Sequence, residues 1–167
     1  MDTPLSPVIE VIKGVAESFS GKSMTLKSDR VSSRVHKCAK GLCKWQTKRE
    51  DWLINRRKNW PFRSWFAAEV WVQIVFEYDG CDVHNARLVP SSKSYSRWYN
   101  DKSTFDIVAE GALSKIADTT GCRDCCEEAA VVEFDVTLNI MCDYIRTDQQ
   151  YFQVTLSGNG SVKKQAF

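Results

Sequence analysis

One run of residues constrains this chain more than any other. From Ala130 to Tyr144 every even position is apolar: Ala130, Val132, Phe134, Val136, Leu138, Ile140, Cys142 and Tyr144. Glu133, Asp135, Thr137, Asn139 and Asp143 stand between them. Successive side chains of a strand point to opposite faces, so residues 130–145 read as a strand with one buried face. Tyr151 to Ser157 repeats the pattern, with Phe152, Val154 and Leu156 on its even face. Aligning the two even faces requires a connecting turn of odd length, because a one-residue slip turns one face outward. A three-residue turn at Thr147 to Gln149 meets that requirement.

A second pair of strands is legible further up the chain. Ala68, Val70, Val72, Ile74, Phe76 and Tyr78 alternate with Glu69, Gln73 and Glu77 across residues 67–78. Asp79-Gly80 follows, a dipeptide suited to a two-residue type I′ hairpin turn. Cys81 to Val89 is then the partner strand, with Phe76 opposite Val83 and Trp71 opposite Leu88. That register also sets Glu77 against Asp82. Such a like-charge contact calls for relief by solvent, by a base, or by a different register.

Three stretches predict helices. In residues 5–19, Leu5, Val8, Ile9, Ile12, Val15, Ala16 and Phe19 recur at three- and four-residue steps, after Ser6-Pro7 and before Gly21. Residues 47–59 open on Thr47-x-x-Glu50, a capping-box spacing, and close on Arg56, Arg57 and Lys58 before Pro61. On that helix Arg49, Trp52, Leu53 and Arg56 share one face. That face either presents an indole between guanidiniums or buries Trp52 and Leu53 while the arginines reach water. Residues 104–118 carry the stripe Phe105, Val108, Ala109, Ala112 and Ile116. Residues 22–46 admit a short strand over Thr25 to Val35 or a basic loop, and 90–102 read as a loop.

The expected fold is α+β: a four-stranded, mostly antiparallel sheet of two hairpins, with two to three helices and a basic N-terminal segment. Residues 1–64 form the N-terminal helix and the basic, Trp-containing helical segment. Residues 65–160 form a ββαββ core, and 161–167 form a frayed tail. A chain of 167 residues with 43% apolar content can bury a real core.

No run of 18 apolar residues is present, so no membrane helix is expected, and Met1-Asp2-Thr3-Pro4 does not begin a secretory signal. The expected compartment is the cytoplasm, or a host cytoplasm or nucleus if the source is viral. The seven cysteines are odd in number, which fits free thiols in a reducing compartment.

Charge divides the chain. Lys22 to Arg63 holds thirteen Lys or Arg against three acids, while residues 65–167 hold nine bases and fifteen acids. Trp45, Trp52 and Trp60 lie among the basic residues. Cations release counterions from a phosphate backbone, and aromatic rings stack on unpaired bases. The stretch therefore points to nucleic acid, single-stranded or RNA, with Lys44, Lys48, Arg49, Arg56, Arg57, Lys58 and Arg63 on phosphates and Trp45, Trp52 and Trp60 stacking. Lys93, Tyr95, Arg97, Trp98 and Tyr99 form a smaller patch of the same kind.

The expected class is a small non-enzymatic nucleic-acid-binding protein, of a viral, phage or mobile-element accessory kind. The alternative is a protein-interaction module or inhibitor docking an acidic partner through its basic face.

Other constellations are weaker. Cys38 with Cys43 and Cys122 with Cys125 have spacings that suit a zinc site but sit in no zinc-ribbon frame. Cys126 extends the second pair, and the competing reading is free thiols, with Cys81 and Cys142 as small apolar strand residues. Cys81 and His84, three apart on a strand, fall on opposite faces and cannot act as nucleophile and base. Glu77, Asp82 and His84 could hold a divalent ion or simply form a solvated strand end. No Gly-rich phosphate loop, H-E-x-x-H or G-x-S-x-G is present, and no cofactor is expected.

Overall fold

The computed structural model describes residues 8–18, 24–34, 44–58, 66–96, 104–113, 117–118, 128–142 and 145–167. Its strands are β1 (Val8–Ser18), β2 (Met24–Arg34), β3 (Gln46–Lys58), β4 (Phe66–Tyr78), β5 (Val83–Pro90) and β6 (Tyr95–Ser96). β7 (Thr104–Leu113), β8 (Ala117–Asp118), β9 (Glu128–Ala129), β10 (Val131–Cys142), β11 (Ile145–Ser157) and β12 (Val162–Ala166) follow. Among the described residues there is no helix. The expected α+β fold with a four-stranded sheet is therefore overturned: the chain builds a ten-stranded sheet that curls into a half-barrel.

Each of the three expected helices is a strand, for a physical reason. β1 is rich in β-branched residues, which lose rotamer freedom on a helix and pack well on a pleat. Its helix-like recurrence comes from Gly14, which sits at φ 66° where the register shifts between Ile12 and Val15. That bulge moves the alternation by one residue, so Ile12 and Val15 are three apart and both exposed. In β7, Phe105, Ile107, Ala109 and Gly111 are buried in strict alternation. The helical stripe had passed over Ile107. In β3, the capping-box pair Thr47 and Glu50 instead alternate, Thr47 outward and Glu50 inward with Trp52 and Ile54. The residues expected to fray at the C-terminus form β12, which pairs with β11 from Phe152↔Ala166 to Leu156↔Val162.

The strands read from alternation are present. β4 buries Ala68, Val70, Val72, Ile74 and Phe76. β10 and β11 align their even faces, Val132 opposite Leu156, Phe134 opposite Val154 and Val136 opposite Phe152. The turn between them is not at Thr147 to Gln149, because β11 already begins at Ile145. A bulge between Ile140 and Met141 supplies the parity that the turn was expected to supply. At the β4–β5 hairpin, Tyr78 pairs with Val83 and Glu77 with His84, so the loop spans 79–82 rather than Asp79-Gly80 alone. Asp79 Oδ1 accepts from the amides of Cys81 and Asp82, an Asx turn that widens the loop. Glu77 thereby faces His84, and the like-charge contact with Asp82 does not form.

The long path of the sheet runs β12-β11-β10-β7-β2-β5-β4-β3, with β1 beside β2 and β6 beside β4. β2 is the spine. Ser28 is opposite both Val15 and Ala109, and Val31 is opposite both Val11 and Ala86. β1 thus holds one edge of β2, while β7 and then β5 share the other. Two arms diverge there, β7–β10–β11–β12 and β5–β4–β3, and fold their inner faces over a single core. Burying such a face contributes roughly 25 cal/mol per Å² of apolar surface and is the main force holding the arms together.

Two sets of contacts close the half-barrel. Along a seam, inward side chains of β3 meet β11, β12 and the turn between them. Lys48 Nζ donates to the Gly160 carbonyl at 2.8 Å, and Asn55 Nδ2 donates to Gln150 Oε1 at 3.1 Å. Trp52 meets Phe152 edge-on with centroids 5.3 Å apart, and Lys164 Nζ lies 3.5 Å from Glu50 Oε1. At one end, three turns clasp through backbone bonds: Gly80 N to Gly158 O, Gly158 N to Ala130 O, and Ala130 N to Cys81 O. A Cβ at Gly158 would stand 2.2 Å from the Cys81 oxygen, so only glycine fits that approach.

Candidate functional site

The residues expected to bind nucleic acid are separated by the fold. Elsewhere in the basic stretch, Lys27 and Arg30, which were not among those expected to bind, belong to β2, and β5 and β4 lie between β2 and β3. Lys44 and Trp45 precede β3 and are exposed, Trp45 at 48%. Arg49 is exposed on the outer face, its Nη1 donating to Gln73 Oε1 at 3.3 Å. Lys48 points into the seam, and Trp52 packs against the core. Arg56 Nε lies 3.4 Å from Glu69 Oε1. Arg57 and Lys58 pair through their backbone with Ala68 and Phe66, and their side chains lie outside the described set. Trp60 and Arg63 lie outside the described residues. On a strand, Trp52 and Leu53 point to opposite faces, so the shared helical face with Arg49 and Arg56 does not exist.

The outer face of β3 and β4 carries a connected polar ribbon instead. Asp51 accepts from Ser91 Oγ at 2.7 Å and from Gln73 Nε2 at 3.4 Å, with Lys93 Nζ at 3.6 Å. The Ser91 bond, with the Lys93 charge and Gln73, holds the Asp51 carboxyl below the ordinary value of 3.8 in spite of partial burial. Lys93 lies 5.0 Å above the Trp71 ring, whose Nε1 donates to Glu69 Oε2 at 2.8 Å. Lys93 and Tyr95, two members of the second basic-aromatic patch, are thus built onto β4; Arg97, Trp98 and Tyr99 lie outside the described residues.

At the far end of this face, Trp45 tilts onto His84 with ring centroids 5.6 Å apart. His84 Nδ1 is 2.7 Å from Glu77 Oε2. The pair that was weighed as part of a divalent-ion site is engaged with itself. Among the described residues no three His, Cys, Asp or Glu converge as metal ligands. The weighed zinc ligands Cys38, Cys43, Cys122 and Cys125, and Cys126 beside them, lie outside the described residues. The free-thiol reading fails at Cys81, which is buried and disulfide-bonded.

Sequence reasoning missed the junction at which the two arms leave β2. There, side chains replace ladder bonds. Ser28 Oγ accepts from Leu88 N at 3.0 Å and donates to Asp29 O at 2.8 Å, and Ser32 Oγ accepts from Asn85 N at 3.1 Å. Asp29, 5% exposed, takes the amides of Gly14 and Gly111, each at 2.9 Å, and Lys13 Nζ at 2.9 Å. Burial raises its pKa, but the Lys13, Gly14 and Gly111 hydrogen bonds outweigh that and hold it below the ordinary 3.8. The available signal was Ser28-Asp29 and Ser32-Ser33 set inside a strand, a polar content that a buried spine tolerates only if its partners are specified.

Compared with protein-family models, with characterised proteins and with solved structures, the chain matches none.

Proposed function

We propose that the protein is a non-catalytic binding module that docks an acidic protein partner through the outer corner formed by Lys44, Trp45 and Arg49. The observation that carries this reading is the exposed Trp45 ring, with Lys44 next to it in the chain and Arg49 four residues along on β3, neither cation in an ion pair among the described residues. Trp and Arg are the side chains that most often dominate protein interfaces. The other described cations of β3 are engaged within the fold, Lys48 at the seam and Arg56 with Glu69. A nucleic-acid backbone requires a continuous track of cations, and dispersal over β2, the seam and the outer face favours a compact acidic patch on a protein. The non-catalytic part carries over from the sequence, in which no nucleophile–base pair is legible. The Cys81 disulfide fits an encounter in an oxidising compartment better than the cytoplasm first expected.

An acidic peptide array and labelled oligouridylate, tested at about 50 and about 200 mM salt, discriminate the two readings. The expected result is selection of particular acidic peptides, lost on Trp45→Ala combined with Arg49→Ala. Tighter binding of the RNA than of any peptide, falling roughly a thousandfold between the two salt conditions, would restore the nucleic-acid reading.

A further inference from the structure

The outer face of the arm β7–β10–β11–β12 carries a like-charge contact that the fold leaves in place. β10 and β7 pair without a break, which sets Asp135 directly opposite Glu110 on that face. Glu133, two residues along β10, lies diagonal to Glu110 on the same face. Like charges directly opposite in a ladder destabilise the pair. None of the three acids is in an ion pair among the described residues. Asp135 Oδ1 accepts from Gln153 Nε2 at 3.4 Å, a neutral donor. A cation on the adjoining strand, Lys27 beside Val108, does not answer them: its stem lies over Gly14, on the β1 side.

The next row of this face is less polar. Thr137 is opposite Val108 on one side and Tyr151 on the other, and Tyr151 is 49% exposed. Along β10 the outer face therefore passes from an aromatic and aliphatic step at Thr137 to acids at Asp135 and Glu133.

The Trp45 corner is the complement of that order. Trp45 and Arg49 are four residues apart on an extended chain, and so are Thr137 and Glu133. Each separation is about 13 Å at the rise of a strand. Laid along β10, the corner seats the indole in the row Val108–Thr137–Tyr151 and brings the Arg49 guanidinium to the acids. Lys44 supplies a second cation beside the indole. The two surfaces cannot meet within one molecule. β4, β5 and β2 separate β3 from β7, and the arms fold their inner faces over one core, so these outer faces point apart.

We propose that the acidic partner of the Trp45 corner is a second copy of this chain, docked through the outer face of β7, β10 and β11. The proposal rests on the reading of the corner given above. Two different surfaces meet, so the contact is heterologous: each added copy presents a further corner and a further acidic wall, and copies add head to tail.

The test is sedimentation velocity of the full chain over a concentration series, at about 50 and about 200 mM salt. The expected result is association that grows with concentration at the lower salt and weakens at least about tenfold at the higher. Arg49→Glu disables the corner, and Glu133→Lys combined with Asp135→Lys disables the wall. Each variant alone should be monomeric where the parent associates. Mixed in equal amounts, the two should form dimers and nothing larger, because one intact corner and one intact wall remain to meet. The wall variant also loses the like-charge contact, so its thermal midpoint should not fall below the parent's, which separates lost docking from lost folding.

A parent protein that stays monomeric to about 1 mM at the lower salt overturns the proposal. So does association that survives Arg49→Glu, or a mixture that fails to pair. The peptide selection judges the corner separately: acidic peptides captured by a protein that stays monomeric keep the corner as a docking site and assign it to a different acidic protein.

Discussion

The two arms of the sheet are built differently. In the arm β7–β10–β11–β12, the β10–β7 ladder runs from Val132↔Leu113 to Met141↔Thr104 without a register shift, β11–β12 is likewise unbroken, and β10–β11 shifts once, between Ile140 and Met141 near the end of the ladder. In the arm β5–β4–β3, each ladder shifts: between Val75 and Glu77, between Leu53 and Asn55, and between Arg57 and Lys58. The β2–β5 junction shifts between Val31 and Ser33 as well. A bulge bends its strand and increases local twist. The first arm is therefore a regular wall, and the second is the one that bends over it. Irregular ladders also re-aim side chains, and the outer ribbon and the Trp45 corner both involve the bent arm.

The clasp is where the arms are joined, and breaking it should have the largest effect. Gly158→Ala drives a methyl group into the Cys81 carbonyl, a backbone atom that cannot move aside. We expect a loss of about 4 kcal/mol or more, read by denaturant unfolding, because strain and broken backbone bonds add. Next come the two walls themselves. Phe134→Ala removes a fully buried ring from the regular arm and should cost about 3–5 kcal/mol. Trp52→Ala, on the bent arm, removes a ring only partly buried and should cost clearly less. Equal losses would show that the seam carries as much of the core as the regular wall does.

The root of the arms is sensitive to acid. Asp29 has a pKa lowered in the folded state, so its stabilising effect is complete above the unfolded value of about 3.8 and is lost as pH falls through the lower folded value. Asp29→Asn should cost about 2–3 kcal/mol near neutral pH, from a hydrogen-bonded carboxylate, and should flatten the acid limb of the stability profile. An unchanged acid limb in that variant would assign the acid sensitivity elsewhere. The smallest effect is expected at the outer ribbon, where Arg56→Ala should change stability by no more than about 1 kcal/mol, as for other exposed pairs.

The regular arm was also the more legible, for a local reason. β10 has a fully apolar inner row and an outer row that is polar from Glu133 to Asn139, and only a strand places them apart. β7 lies in the same arm and was misread because Val108 and Ala112, on its outer row, are apolar too. With both rows partly apolar, a three- or four-residue spacing can be found in a strand. β3 failed for the opposite reason. Its inner row, Lys48, Glu50, Trp52 and Ile54, is half polar because it meets the seam rather than the core centre, so no period of two is visible. The charge on β3 has a plain structural use as well: this is the last strand of the sheet, and charged end strands resist pairing with other chains. The junction at Ser28 and Asp29 could not be read at all, since its partners come from Gly14, Leu88 and Gly111, far away in the chain.

The parallel pairing of β2 with β7 has a consequence in time. Among the described residues it is the one parallel ladder, and residues joined across it, such as Thr25 and Asp106, are 81 apart in sequence. The β4–β5 and β10–β11 hairpins need only short loops and can form early, whereas closure of so long a loop comes late and slows the approach to the native state. The junction that seats Asp29 and Arg30 is consequently among the last parts of the molecule to exist.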